Sequence, residues 1–114
     1  MMSAQYLSIA KDFSRFPSGR FRSDGPNSGE AFREDHLAPK LKSGAQLVVN
    51  LDGVAGLPSS FLEEAFGGLV RHHDFSPSQL ESLLRFEALT PRMQTYPKMI
   101  WGYIARATLS EVAR

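Results

Sequence analysis

The clearest periodicity in the chain lies in "SFLEEAFGGLV". There Phe61, Leu62, Ala65, Phe66, Leu69 and Val70 fall at the spacing of one broad apolar helix face. Gly67 and Gly68 sit inside this stretch. Each costs about 1 kcal/mol against alanine in a helix, so close packing against another backbone is expected as compensation. Just upstream, Leu47, Val48, Val49 and Leu51 form a nearly continuous apolar run. Such a run predicts a strand covered on both faces, which needs helices around it and so points to an α/β arrangement. Between strand and helix lies "DGVAGLPSS". Ser60 is placed to cap the helix, with Glu63 closing an S-x-x-E box. Ser59 is then left over at an exposed turn, where a phosphate would lie near the positive end of the helix dipole.

The pattern elsewhere is shorter. Tyr6, Leu7 and Ile9, then a turn through Pro17, Ser18 and Gly19, then "RFRSD" with Phe21 between Arg20 and Arg22, predict a β-hairpin. Asn27 or Ser28 starts a helix, and with Asn27 as the cap Glu30 completes a capping box. Ala31, Phe32, Leu37 and Leu41 face a core, and Pro39 ends or kinks the helix near Leu37. Ser76, Pro77 and Gln79 mark another helix start, and "RFEAL" has the composition of a short final strand. Pro97 opens a C-terminal helix with Met99, Ile100, Tyr103, Ile104, Ala107 and Val112 as its apolar residues. Trp101 lies at the edge of that face, about 100° around from Ile100. It reads as a core-edge residue, with a homodimer anchor as the alternative.

Composition narrows the function. A chain of 114 residues with 42% hydrophobic content is the size of one domain with one real core. The net charge is +1, and 13 basic residues are offset by 12 acidic ones without forming a stripe. Neither nucleic acid nor a membrane surface is indicated as a partner. There is no cysteine, no basic leader followed by an apolar run, and no apolar stretch of bilayer length. The expectation is a cytoplasmic protein. Phosphate-loop and dinucleotide patterns are absent, and so is paired zinc-ligand spacing. His72 and His73 are adjacent, so on a helix they diverge and suit its C-terminal end better than a shared metal. No nucleophile elbow is present, and no enzyme, metal or cofactor is expected. One loop has anion-binding potential. Arg20 and Arg22 precede Gly25, Ser28 and Gly29 at a helix start, where free N–H groups and guanidinium groups can hold a phosphate or carboxylate. A nucleotide or small-anion sensor is the corresponding alternative function.

"SDGPNSGEAFRE", "LVVNLDGV" and "SSFLEEAFGGL" together resemble the STAS-like family of small bacterial proteins, whose biochemical function is uncharacterised. That family is in turn similar to the STAS domains of anti-sigma-factor antagonists. The resemblance implies an α/β fold: a small mixed sheet of about four to five strands with helices mainly on one face. It also implies a non-catalytic regulatory module that binds a protein partner and is switched when a histidine-kinase-like ATPase phosphorylates a serine. By position, Ser59 matches the phospho-acceptor and Ser60 follows it. Pro58 stands where the antagonists have aspartate, and Phe61 where many of them have glycine. Asp52 and Gly53, at the end of the preceding strand, complete the docking corner that the resemblance implies.

Overall fold

Three short strands, β1 (Gln5–Ser8), β2 (Leu47–Asn50) and β3 (Leu84–Glu87), form one sheet in the order β1-β2-β3. The computed structural model describes residues 4–112, and the side chains of residues 4–107. Both strand pairs are parallel, with Leu7 opposite Val49 and Val49 opposite Phe86. Parallel neighbours need long crossovers, and helices supply them. α1 (residues 29–42) connects β1 to β2; α2 (residues 59–73) and α3 (Pro77–Leu83) connect β2 to β3; α4 (Tyr96–Val112) follows.

The α/β class and the helix-covered face agree with expectation. The sheet, however, has three strands among the described residues, not four to five, and is wholly parallel rather than mixed. The predicted hairpin accounts for the difference. After β1, the Ser8 hydroxyl accepts the Lys11 N–H while the Asp12 carboxylate accepts the Ser8 N–H. This reciprocal cap turns the chain into a single wide helical turn, Ile9–Phe13, so Ile9 leaves the strand. Further on, the Asp24 carboxylate accepts the N–H groups of both Arg20 and Phe21. Donors used in that local turn cannot join a ladder, and Arg22–Asp24 forms a 3₁₀ turn instead.

β2 is covered on one face only. Leu47 and Val49 are buried beneath the helices, whereas Val48 shares the other face with Tyr6 and Arg85, both exposed. The apolar run thus reflects one buried face plus a single half-buried valine, and a two-layer molecule results.

The helix layer is joined by aromatic contacts. Phe32 of α1 stacks on Phe61 of α2 at 5.7 Å between centroids, and Phe66 meets Phe86 of β3 edge-on at 5.5 Å. Trp101 packs edge-on against Phe86 in turn, so the half-buried indole forms the rim of the core. On α4, Ile100, Ile104 and Ala107 are buried and Met99 is exposed; the Val112 side chain lies outside the described residues.

The caps depart from expectation in instructive ways. Ser28, not Asn27, caps α1, its hydroxyl accepting the Ala31 N–H; Glu30 accepts the Arg22 N–H instead of closing a box. α1 runs through Pro39 to Lys42. A wide turn at Arg33–Leu37, in which the Ala38 N–H reaches back to the Arg33 carbonyl, shifts the pairing just ahead of the residue that lacks an N–H. The capping box expected at Ser76 and Gln79 is formed.

Candidate functional site

Each strand ends in a polar residue, and the register brings these ends together. Ser8 lies opposite Asn50, and Asn50 opposite Glu87, on the sheet face that no helix covers. They line a hollow of about 550 Å³ at the carboxyl ends of the strands. Crevices at this end of parallel sheets are the usual place for ligands in open α/β folds, because the loops that leave the strands diverge there.

The acidic side of the hollow is held by a chain of hydrogen bonds. The Tyr6 hydroxyl donates to Glu87 Oε1 at 2.5 Å, and Asn50 Nδ2 donates to the same oxygen at 2.7 Å. These two donors hold the Glu87 carboxyl below its ordinary range, and the same bond to Glu87 raises the Tyr6 hydroxyl. Asp52 accepts the N–H groups of Leu89 and Thr90, each at 2.9 Å, which keeps its carboxyl low and ties the end of β2 to the chain leaving β3. Gly53 follows at φ 92°, a conformation that side chains disfavour. Lys11 and Arg15 line the same hollow, and neither forms an ion pair within the described residues.

The docking corner implied by the resemblance is divided by the structure. Asp52 and Gly53 belong to this hollow. Phe61 is fully buried against Phe32, so it is a core residue and offers nothing to a partner. Ser59 and Ser60 are the first two residues of α2, preceded by Pro58 as the capping position with no side-chain cap bond. Ser60 is therefore not the cap, and the expected box does not form. Glu63 turns away, to Arg20 and Arg71. The Leu62 N–H closes the first turn on the Pro58 carbonyl. Neither serine hydroxyl has a protein partner among the described bonds, and Ser59 is exposed. Beside Pro58, a shallow apolar groove of about 330 Å³ is lined by Phe16, Gly56 and Leu57, with Phe16 64% exposed.

The anion-binding loop loses its donors. Arg20 pairs with Glu63 and Glu64, and Arg22 makes a two-pronged contact with Asp35. The Gly29 and Glu30 N–H groups donate to the Gly19 and Arg20 carbonyls, and Ser28 takes the Ala31 N–H. Gly25, at φ 145°, shapes the turn. The helix start is therefore closed by its own chain.

These arginines belong to a network between α1 and α2. Arg33, 3% exposed, donates from Nη1 to the Glu64 carbonyl at 2.6 Å and to Glu64 Oε2 at 2.7 Å. It also reaches Glu34, which meets His73 Nε2 at 2.6 Å. Burial pushes the Glu34 carboxyl up, but the bonds from Arg33 and His73 outweigh it and hold the group at about 2. This network explains the paired glycines. A Cβ at Gly68 would lie 2.1 Å from Arg33 Nη1, and one at Gly67 would lie 2.7 Å from Glu63 Oε2. The space is filled by charged side chains, not by the neighbouring backbone that was expected. The close backbone approach is at Gly29, where a Cβ would lie 2.5 Å from the Phe61 carbonyl.

Sequence reasoning missed Tyr6, Ser8, Lys11, Arg15, Asn50 and Glu87. Three of them close strands with a polar residue, a visible signal, but only the parallel register shows that they share one end. Among the described residues there is no cluster of metal-binding side chains, and no helix is long and apolar enough to cross a membrane. Compared with known families, residues 28–93, more than half of the chain, match the family described as the STAS-like domain of unknown function (DUF4325). No curated protein and no solved structure matches the chain.

Proposed function

The chain belongs to the STAS-like domain family, and on that premise we propose that it is a non-catalytic regulatory module that docks a protein partner through the corner where α2 begins. The observation that carries this reading is Ser59: an exposed hydroxyl at the first position of a long helix, free of any capping duty, beside the apolar groove at Phe16 and Pro58. Phosphorylation of Ser59 by a histidine-kinase-like ATPase would switch the contact. A phosphate there gains from the positive end of the α2 dipole, so the fold tolerates it. A partner that covers the groove would have to desolvate that charge, so docking weakens. Pro58 leaves the acceptor without the neighbouring carboxylate of the antagonists, so recognition rests on the groove and the helix start.

The experiment is incubation with ATP and the histidine-kinase-like ATPase encoded nearest to it, followed by mass spectrometry and gel filtration. Phosphate on Ser59, a complex with unmodified protein and a weaker complex with Ser59→Glu are expected. An unmodified Ser59 together with no complex overturns the proposal.

A further inference from the structure

We infer that the hollow at the carboxyl ends of β1, β2 and β3 is a second site, which binds a phosphate ester carrying neighbouring hydroxyl groups. The inference is independent of docking at Ser59, and its argument begins from charge. Six of the arginine, histidine and glutamate side chains between α1 and α2 satisfy one another: Arg20, Arg33, Arg71, Glu63, Glu64 and Glu34 all have ionic partners. Lys11 and Arg15 have none among the described residues, although acidic groups line the same hollow. The acidic groups are turned to other work. Asp52 is occupied by two backbone N–H groups, and one oxygen of Glu87 by Tyr6 and Asn50.

Two kinds of unfilled capacity remain. Lys11 and Arg15 together match the charge of a phosphomonoester dianion, and arginine adds the planar donors that suit phosphate oxygens. Glu87 Oε2 accepts no hydrogen bond among the described residues while Oε1 takes two, so the carboxylate is fixed in place with an acceptor open toward hydroxyl groups. Dinucleotide-binding folds with open parallel sheets use the same division, a carboxylate taking ribose hydroxyls while the phosphate lies elsewhere in the crevice. The volume, about 550 Å³, falls in the usual range for small-molecule sites. Tyr6, 56% exposed, offers a ring at the rim. The chemistry is shared by sugar phosphates and by nucleotides.

Backbone amide shifts in NMR, followed during titration with inorganic phosphate, ribose 5-phosphate and adenosine monophosphate, test it on the full chain. Ribose 5-phosphate at millimolar concentration should move Tyr6, Lys11, Asn50 and Gly53. The double variant Lys11→Ala/Arg15→Ala should lose the response to both ribose 5-phosphate and inorganic phosphate. Glu87→Gln should weaken ribose 5-phosphate relative to inorganic phosphate by about tenfold, since the lost charge acts on both ligands and the hydroxyl contact on one. Tighter binding of the nucleotide than of ribose 5-phosphate identifies a nucleotide as the source, and equal binding identifies a sugar phosphate. The inference is overturned if no probe moves these residues, if the response survives the double variant, or if Glu87→Gln leaves the ratio of ribose 5-phosphate to inorganic phosphate affinity intact. The variant spectra, dispersed as in the wild type, separate a lost site from a lost fold.

Discussion

Two regions of this molecule carry opposite charges in similar numbers and use them in opposite ways. Between α1 and α2, arginines and glutamates pair with one another, and the innermost pair, Arg33 and Glu64, is almost fully buried. At the carboxyl ends of the strands, Lys11 and Arg15 have no ionic partner among the described residues, while Asp52 and Glu87 are held by neutral donors. The difference lies in solvation. A charge withdrawn from water must find a counter-charge and further hydrogen bonds, or the fold fails. A charge at an open crevice has water as its partner and can exchange water for a ligand at little cost to the fold. The first region is therefore expected to respond to substitution through stability, and the second through binding.

The largest effect should come from Arg33→Ala. It leaves Glu64 buried with its longer contacts to Arg20, Arg71 and His72, at 3.4, 3.5 and 3.9 Å. A loss of about 3–5 kcal/mol in urea unfolding is expected. A loss below about 1 kcal/mol would show that Glu64 re-pairs and that the network is not a constraint. Gly68→Ala comes next, because the new methyl group occupies the place of the Arg33 guanidinium. About 1–3 kcal/mol is expected from thermal or urea unfolding. In the double variant Arg33→Ala/Gly68→Ala the two losses should fall short of their sum, since the clash disappears with the arginine.

A smaller effect should appear in acid. The folded Glu34 carboxyl titrates at about 2, below its ordinary 4.5. Its contribution is therefore complete above pH 4.5 and fades as the pH falls toward 2. The stability difference between the wild type and Glu34→Gln should shrink across that window, and a constant difference would remove Glu34 from the ionic account. The smallest effect belongs to the open crevice. Lys11→Ala/Arg15→Ala should keep unfolding stability within about 0.5 kcal/mol of wild type. A larger loss would mean that these cations hold the fold, and the contrast between the two regions would collapse.

Much of the frame was legible along the chain. The apolar face from Phe61 to Val70, the strand at Leu47 and the Ser76–Gln79 cap all depend on neighbours within a few residues, and that is the range over which pattern and capping act. The site was less legible. Ser59 was visible as a serine before a helix, yet the choice between Ser59 and Ser60 as the cap depended on where Glu63 pointed. That was decided by Arg20 and Arg71, far away in one case and two turns on in the other. Phe61 entered the docking corner through the resemblance alone, whereas its own periodicity already put it on the buried face of α2.

What the sequence determined by itself was the class of the fold: alternating apolar strands and amphipathic helices, marked by local capping and turn chemistry. The tertiary structure alone decided three things. It chose a wholly parallel three-stranded sheet among the described residues, because β1 and β3 both pair with β2 across long helical crossovers. It gave Gly68 its meaning, because the charge it admits is that of Arg33, on another helix. And it gathered Ser8, Asn50 and Glu87 into one row from three distant segments. The physical reason is the same in each case. Local propensities act through bonds a few residues apart, whereas register, charge pairing and the shape of a crevice depend on which distant segments lose water together.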